Sequence, residues 1–272
     1  MIPSTGVKPL MEMSKGYADI DYLDRKAELL YTVKEREHSH LQLAAGHRVL
    51  DVGFGPGADT VAMASVVGPT GRVVGVDHDA AMVAEAQRRA AAAGCGPWVA
   101  HQVADAASLP FDDEYFDRAR SAQLFQHLLA PASSVLAEMV RVTKLGGRVV
   151  VADTDWGSLS VHSREADIER RIIQCNAERC FNNGYSGRSL PGLFRQRGNL
   201  AGVTIEAVPI FTVDYQLGRQ LLLLDQVEQE ALQSKVVTPE ELERWRGDLQ
   251  DLDERGAFFM SLTVFVVAAR KL

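Results

Sequence analysis

Three glycines at alternate positions form the segment with the clearest capacity for chemistry. Gly53, Gly55 and Gly57 end the run Val49–Gly57, whose first residues are typical of a buried strand. Because glycine has no Cβ, this backbone can turn tightly and approach a ligand closely. A helix predicted to follow would present unpaired N–H groups in its first turn. The pattern predicts a loop that binds a nucleotide-like ligand.

The acid two residues before the first glycine bears on which nucleotide is bound. The glycines alone also satisfy the looser dinucleotide fingerprint, as Gly53-x-Gly55-x-x-Ala58. A carboxylate at Asp51 would repel a pyrophosphate and would suit a cation, such as the sulfonium of S-adenosylmethionine (SAM). Asp51 therefore either faces such a cation or braces the glycine loop through backbone hydrogen bonds.

Two further acids close the next predicted strands. Asp77 is placed to accept the ribose hydroxyls of an adenosine, because Asp79 fits the cap of the following helix better. Asp105 is placed to accept the exocyclic amine of adenine, with the Ala106 N–H donating to a ring nitrogen, or is a turn residue. His78 either lies along the adenine face or is an exposed loop histidine. A nicotinamide enzyme needs the second acid but not the first.

The elements that position these residues alternate between strand and helix from residue 48 onward. Strands are predicted at Arg48–Val52, Arg72–Val76, Trp98–Val103, Arg118–Ala122, Arg148–Ala152, Val203–Val213 and Phe258–Ala268. Helices are predicted over 24–43, 58–67, 79–94, 131–142, most of 157–200, and 216–255, where Thr238 to Glu241 form a capping box with proline at the first helical position. This alternation predicts an α/β fold with a doubly wound parallel sheet and a site at the carboxyl ends of its strands.

Composition narrows the class of protein. The 272 residues carry a net charge of −7, which disfavours a nucleic-acid partner. No leader pattern and no apolar run near the ~18 residues that span a bilayer is present, so we expect a soluble protein without membrane insertion. The three cysteines fit no metal pattern, which favours free thiols and a cytoplasmic location.

Motif by motif, the chain resembles the class I SAM-dependent methyltransferases, in their small-molecule, ubiquinone-biosynthesis-like branch. The motifs cover residues 45–155, in order and at the usual spacing. They are Val49–Gly57, Val73–Asp79 with Met82, Asp105 leading into Leu109–Asp117, Gln126-His127-Leu128 and Leu145–Arg148. Phe54 and Pro56 depart from the small or polar residues common in the glycine loop. An Asn-Pro-Pro-Tyr-type motif is absent after strand four, which favours acceptors other than nucleobase or glutamine amines.

The resemblance implies a Rossmann-like methyltransferase fold of seven mostly parallel strands with an antiparallel last strand and a helical cap. It also implies SAM as the cofactor and S-adenosylhomocysteine as the product. The implied contacts are the three glycines around the methionine end, Asp77 at the ribose, Asp105 and Ala106 at the adenine, and the backbone of Ala122 and Gln123 beside the methionine moiety.

Methyl transfer from a sulfonium is an in-line displacement, to which alignment and desolvation contribute up to about 7–11 kcal/mol. His127 is the candidate base, since it follows strand four and titrates near neutral pH, or it is a structural residue at a helix start. Asp153 and Trp156, expected just after strand five, and Tyr22 are predicted to contact the acceptor. Asp153 could equally cap a helix, and Trp156 could equally be core.

We expect residues 1–44 to form a helical cap segment and residues 45–272 to form the SAM-binding domain, as a monomer or homodimer. The apolar face of the 216–255 insert indicates a lid and a hydrophobic or aromatic acceptor. No carboxylate-rich metal cluster is visible, so a metal-free reaction is expected. Two alternatives remain open: an NAD-dependent oxidoreductase, and a SAM-binding protein that is non-catalytic or repurposed for another reaction such as a cyclisation.

Overall fold

The computed structural model describes residues 20, 23–24, 29–222 and 224–272, and they contain a seven-stranded sheet. Tyr22, predicted to contact the acceptor, lies outside the described residues. The strand order is β3-β2-β1-β4-β5-β7-β6, with β1 to β5 parallel and the last strands antiparallel. The predicted fold class is thereby confirmed. The strands are β1 (Arg48–Val52), β2 (Arg72–Asp77), β3 (Val99–Val103), β4 (Phe116–Ala122), β5 (Thr143–Val161), β6 (Leu200–Thr212) and β7 (Met260–Lys271).

Helices alternate with the strands, close to their predicted bounds. Of the helix predicted over 24–43, the continuous described part is Tyr31–Leu41. The described helices are α1 (Tyr31–Leu41), α2 (Ala58–Val67), α3 (Ala80–Ala92), α4 (Ala132–Val142), α5 (Ala166–Arg179), α6 (Ser186–Arg195), α7 (Tyr215–Leu222), α8 (Leu224–Gln233) and α9 (Pro239–Glu254). Two short 3₁₀ helices cover Gly96–Trp98 and Phe125–His127.

The central strands are apolar because both faces of the sheet are covered. Leu50 and Val52 of β1 are fully buried, and α4 packs Leu136 and Met139 into the same core cluster. Continuous apolar runs of this kind are typical of parallel strands. In the register of β1 and β2, Asp51 lies opposite Gly75. The glycine loop and Asp77 therefore follow neighbouring strands at the same edge of the sheet.

The fifth strand is much longer than predicted. The prediction ended it at Ala152, because acids seldom continue a buried strand. The structure continues β5 to Val161, so Asp153, Asp155 and Trp156 lie within the strand and not in a loop after it. The strand can hold the first of these acids because the buried Asp153 carboxylate accepts the backbone N–H of Phe125. Residues 157–161, predicted as helical, are likewise strand.

The chain divides into two compact units. The sheet unit comprises Tyr31–Asp153, Arg188–Val208 and Phe265–Leu272. The helical unit includes Thr154–Gly187 and Pro209–Val264. None of the helices that the structure describes is long and apolar enough to cross a membrane.

Within the helical unit, α9 begins as predicted. Thr238 accepts the Glu241 N–H at 3.2 Å and the Glu241 carboxylate accepts the Thr238 N–H at 2.9 Å, which confirms the capping box. One face of α9 is buried, with Trp245 and Leu249 at its centre. Glu241 also pairs with Arg171 of α5, so this cap connects two helices of the unit.

Candidate functional site

The predicted glycine loop has a backbone that only glycine adopts readily. Gly53, Gly55 and Gly57 have φ values of +74°, +57° and +85°. A Cβ on Gly57 would lie 2.5 Å from the Cβ of Ala86, whereas a Cβ on Gly55 would meet nothing within 4 Å. The loop is therefore packed tightly where it begins α2, and its backbone is uncovered at Gly55, where a ligand can approach it.

A buried histidine, which sequence reasoning missed, supports this loop. The Thr60 hydroxyl donates to the Gly57 carbonyl at 2.9 Å and lies 2.8 Å from His101 Nε2. The imidazole also packs against Phe54, with ring centroids 4.8 Å apart. Burial lowers the pKa of His101 to about 4, so the ring is neutral at pH 7. Because Thr60 donates to the carbonyl, the neutral ring carries its proton on Nε2.

Asp77 joins the glycine loop to the start of α3. Its Oδ2 accepts the Gly55 N–H at 3.1 Å, and its Oδ1 accepts the Asp79 N–H at 3.0 Å. Asp79 caps α3 by accepting the Ala81 N–H at 2.7 Å, which confirms the predicted cap. His78 is exposed, with Nδ1 3.3 Å from Asp77 Oδ1. A carboxylate accepts about four hydrogen bonds, so Asp77 retains capacity for ligand hydroxyls.

Asp51 is held by a buried arginine that the sequence analysis did not single out. Arg120 Nη1 donates to Asp51 Oδ2 at 3.1 Å, and both side chains are 1% exposed. Asp51 and Arg120 are paired in the register of β1 and β4. Two opposite charges in neighbouring predicted strands are the feature of the sequence that could have indicated this ion pair. The same guanidinium reaches Glu37 of α1 and Asp59 of α2, each at 3.1 Å. Asp51 thus belongs to a charge cluster, and its carboxylate accepts no hydrogen bond from the backbone of the loop within the described ranges.

Burial and charge compete in this cluster. Burial raises the pKa of Glu37 to about 7 and that of Asp51 to about 6, although Arg120 opposes both shifts. At Asp59 burial also disfavours ionisation, but Arg120 and Lys34 outweigh it and lower the pKa to about 2. The cluster therefore holds two carboxyl groups that gain or lose a proton near neutral pH.

The other predicted cofactor residues lie in loops after β3 and β4. Asp105 is exposed, and its Oδ1 accepts the Ala107 N–H at 2.8 Å. This hydrogen bond is typical of a turn residue, the alternative role considered for Asp105. Ala106 and Ala122 are partly exposed. Gln123 has a φ of +57° and donates its N–H to the Ala152 carbonyl at 2.8 Å. Such a conformation is uncommon outside glycine and asparagine, and it turns the chain sharply at the end of β4.

The predicted acceptor residues differ in their surroundings. His127 ends the short 3₁₀ helix after β4, and burial lowers its pKa to about 3, so its imidazole is neutral at pH 7. Asp153 Oδ2 accepts the Phe125 N–H at 2.6 Å, so this acid holds the start of that helix. In the helical unit, Trp156 stacks on Phe181, with ring centroids 4.4 Å apart, and is 4% exposed. Across the part of the chain that the structure describes, no group of three or more metal-ligating side chains is found.

The geometry thus brings most of the predicted cofactor residues of the sheet unit to one edge of its sheet. Comparison with known families agrees with this arrangement, because residues 49–147 match the Methyltransferase domain family (Methyltransf_25). The chain is 31% identical over 257 residues to the "Uncharacterized 37.1 kDa protein in transposon TN4556" of Streptomyces fradiae, with 93% of this chain and 71% of that protein covered. It is 36% identical over 122 residues to the ubiquinone/menaquinone biosynthesis C-methyltransferase UbiE of Stutzerimonas stutzeri, over 45% of this chain and 47% of UbiE.

Solved structures agree on the fold. The YcgJ protein of Bacillus subtilis superimposes with a TM-score of 0.62 at 21% identity, covering 90% of this chain and 98% of that one. At this identity the likeness concerns the fold alone. The chain spans about half the length of the relatives named as methyltransferases that it matches.

Proposed function

Because the chain belongs to the class I SAM-dependent methyltransferases, we propose that it transfers a methyl group from SAM to an O, N or C atom of a small, hydrophobic or aromatic acceptor, without a metal ion. The observation that carries the proposal is the glycine loop, open at Gly55 and tied to the Asp77 carboxylate by a hydrogen bond of 3.1 Å. UbiE is named a C-methyltransferase of quinone biosynthesis, which supports an aromatic acceptor. We place the reaction in the cytoplasm, in a monomer or homodimer.

The loop fits an adenosyl ligand in both shape and charge. Gly53 and Gly55 leave their backbone accessible to the methionine end, because neither carries a Cβ that would cover it. Asp77 keeps acceptor capacity for the two ribose hydroxyls beside its two N–H bonds. Asp105 and Ala106 are assigned to the adenine, and the sharp turn at Gln123, after Ala122, to the methionine moiety. His78 is assigned to the adenine face.

When bound, SAM supplies a methyl group that its sulfonium charge has already activated. The protein then has to align the acceptor and exclude water. Asp153 contributes by holding the 3₁₀ helix that ends in His127. Because Trp156 is buried, we assign it a structural role behind the acceptor and not a stacking contact with the acceptor itself. The acceptor contact of Tyr22 and the lid formed by the 216–255 insert stay predictions from the sequence.

Cofactor binding is the first test. Isothermal titration of the full chain with SAM, S-adenosylhomocysteine and NAD should detect the first two and not the third. Asp77→Ala should weaken SAM binding by about 1.5–3 kcal/mol, or roughly 10- to 150-fold, because hydrogen bonds to a charged group are lost. Asp79→Ala is the matched control, since it removes a neighbouring acid that caps α3; we expect a change below about threefold. Equal losses in both variants, or NAD binding alone, would contradict the proposal.

The acceptor is identified by screening small phenols, quinols, amines and isoprenoid compounds for release of S-adenosylhomocysteine. A protein that binds SAM but methylates none of them under any condition would favour the non-catalytic or repurposed alternative.

His127 is proposed as the proton acceptor, and its neutral state sets the test. Because its pKa is about 3, it accepts protons only weakly, and we expect no loss of rate between pH 8 and pH 5 that depends on this ring. His127→Asn should lower the rate by the same factor at every pH in this range. A change in rate near pH 6.5 that is present in the wild-type protein and absent in His127→Asn would show that burial does not lower the pKa of this imidazole.

A further inference from the structure

Five charged side chains form a cluster that includes the acids on either side of the glycine loop, Asp51 and Asp59, and their charges do not cancel. Arg120 lies 3.1 Å from each of Glu37, Asp51 and Asp59, and Lys34 Nζ lies 2.7 Å from Asp59. When all are ionised, three negative charges face two positive ones, which leaves an excess of one negative charge. Arg120, Glu37 and Asp51 are each only 1% exposed, so water screens this excess poorly.

Four elements bring these groups together: α1 carries Glu37 and Lys34, β1 carries Asp51, α2 carries Asp59 and β4 carries Arg120. His38 on α1 is also affected by the cluster: burial and the charge of Arg120 lower its pKa, which disfavours the charged imidazole. The charges that act on Glu37 are those of Arg120, Asp59 and Asp51. Glu37 is therefore surrounded by ionisable groups from the other three elements, of which Arg120 and Asp59 stay charged near neutral pH.

Some polar atoms of the cluster lack partners. Arg120 Nε and Asp51 Oδ1 are both buried: among the residues that the structure describes, the Arg120 Nε–H has no acceptor and Asp51 Oδ1 has no donor. An unpaired carboxylate oxygen in a buried site is costly, and a nearby positive charge would offset that cost. Asp51 precedes Gly53 by two residues, and Asp59 lies in the first turn of α2, which begins after Gly57. The excess negative charge thus adjoins the loop to which the cofactor is assigned.

We propose that Glu37 makes cofactor affinity depend on the charge of the cofactor: binding of cationic SAM releases a proton from this carboxyl group, and binding of the neutral thioether S-adenosylhomocysteine does not. The inference rests on the proposed binding of SAM at the glycine loop. In this proposal the charge of Glu37, acting through Arg120 and Asp51, makes the protein bind SAM more tightly than S-adenosylhomocysteine.

The direction of the effect follows from the charges. With its pKa near 7, Glu37 is partly protonated at neutral pH. A sulfonium at the loop favours the ionised form, so SAM affinity rises as the pH increases from 6 to 8, by at most about tenfold per pH unit for one fully linked proton. We expect about a three- to tenfold rise in total. S-adenosylhomocysteine, which shares every other charged group, should change by less than about twofold.

The experiment is isothermal titration of the wild-type full chain at pH 7 in phosphate and in Tris, whose ionisation enthalpies differ. The difference in observed heat between the two buffers gives the number of protons released. We expect SAM to release a larger fraction of a proton than S-adenosylhomocysteine does. This measurement on the unaltered protein needs no variant to fold.

Glu37→Gln and Glu35→Gln provide the matched pair. Both remove one acid from α1, but Glu35 is exposed and lies outside the cluster. Glu37→Gln should abolish the difference in proton release and flatten the pH dependence of SAM affinity, whereas Glu35→Gln should change neither.

Equal proton release by the two ligands in the wild-type protein would overturn the inference. So would a difference that persists in Glu37→Gln, since the proton would then come from another group, such as Asp51. Binding of both ligands with these results leaves the proposed function standing. Failure of both to bind would overturn the proposed function, and the inference would fall with it.

Discussion

Arg120 shows how a single residue sets the chemistry of its neighbours. Its guanidinium is fully buried, yet three carboxylates raise its pKa against the effect of burial, so it is always charged. The charge it supplies keeps Asp51 and Glu37 from being protonated outright. Buried ion pairs often contribute little net stability, but removing one partner leaves the others uncompensated.

Arg120→Met should therefore lower the free energy of unfolding by about 3–5 kcal/mol at pH 8. The loss should be smaller at pH 5, because the abandoned carboxyl groups can then take up protons. Urea denaturation followed by circular dichroism measures both values. Arg88→Met removes an exposed arginine paired with Glu85 and should cost less than about 1 kcal/mol. Similar losses in the two variants would show that the buried cluster is not under electrostatic strain.

At the scale of elements, the turn from β1 into α2 combines a backbone that faces the ligand with tight packing behind it. Thr60 of α2 donates to the Gly57 carbonyl and is itself hydrogen-bonded to His101 of β3, while Asp77 of β2 accepts the Gly55 N–H. Three elements thus fix one loop before any ligand arrives. A loop fixed in this way loses little conformational entropy on binding.

Two alanine substitutions separate packing from backbone strain in this loop. Gly55→Ala should cost only about 1 kcal/mol, because its Cβ meets nothing and the penalty is that of a positive φ. Gly57→Ala should cost at least about 2–3 kcal/mol, since the same penalty is joined by a contact of 2.5 Å with Ala86 that cannot relax without moving α3. Thermal and urea unfolding compare the two. Equal costs would mean that the α2–α3 contact is more compliant than the structure shows.

For the whole molecule, the buried His101 and the buried acids Glu37 and Asp51 act in opposite directions on the sensitivity to acid. The pKa of His101 falls from 6.5 to about 4 on folding, so its stabilising contribution is present above pH 6.5 and is lost as the pH falls from 6.5 towards 4. The raised pKa values of Glu37 and Asp51 act in the opposite direction over the same range. The net acid sensitivity of the fold is the difference between these contributions.

Comparison of variants isolates the part that His101 contributes. His101→Gln should lose less stability between pH 7 and pH 4.5 than the wild-type protein does, because glutamine has no proton to gain. His78→Gln, a change of an exposed loop residue, should keep the wild-type pH dependence. Urea denaturation of the wild-type protein and the two variants at both pH values provides the six free energies of unfolding that are needed. A steeper loss in His101→Gln would reverse the sign argued here.

The sequence by itself determined the order of strands and helices, the glycine loop, the caps at Asp79 and Thr238, and the family. These features are local, because apolar periodicity, glycine at positive φ and capping side chains act within a few residues of each other. Tertiary structure alone decided that Asp51 and Glu37 both pair with Arg120, that His101 supports the loop, and that β5 continues through Asp153. Each of these features depends on contacts between residues that are far apart in the chain. Burial in the folded structure also decides whether the ionisable side chains are charged, and the sequence alone does not reveal which side chains are buried.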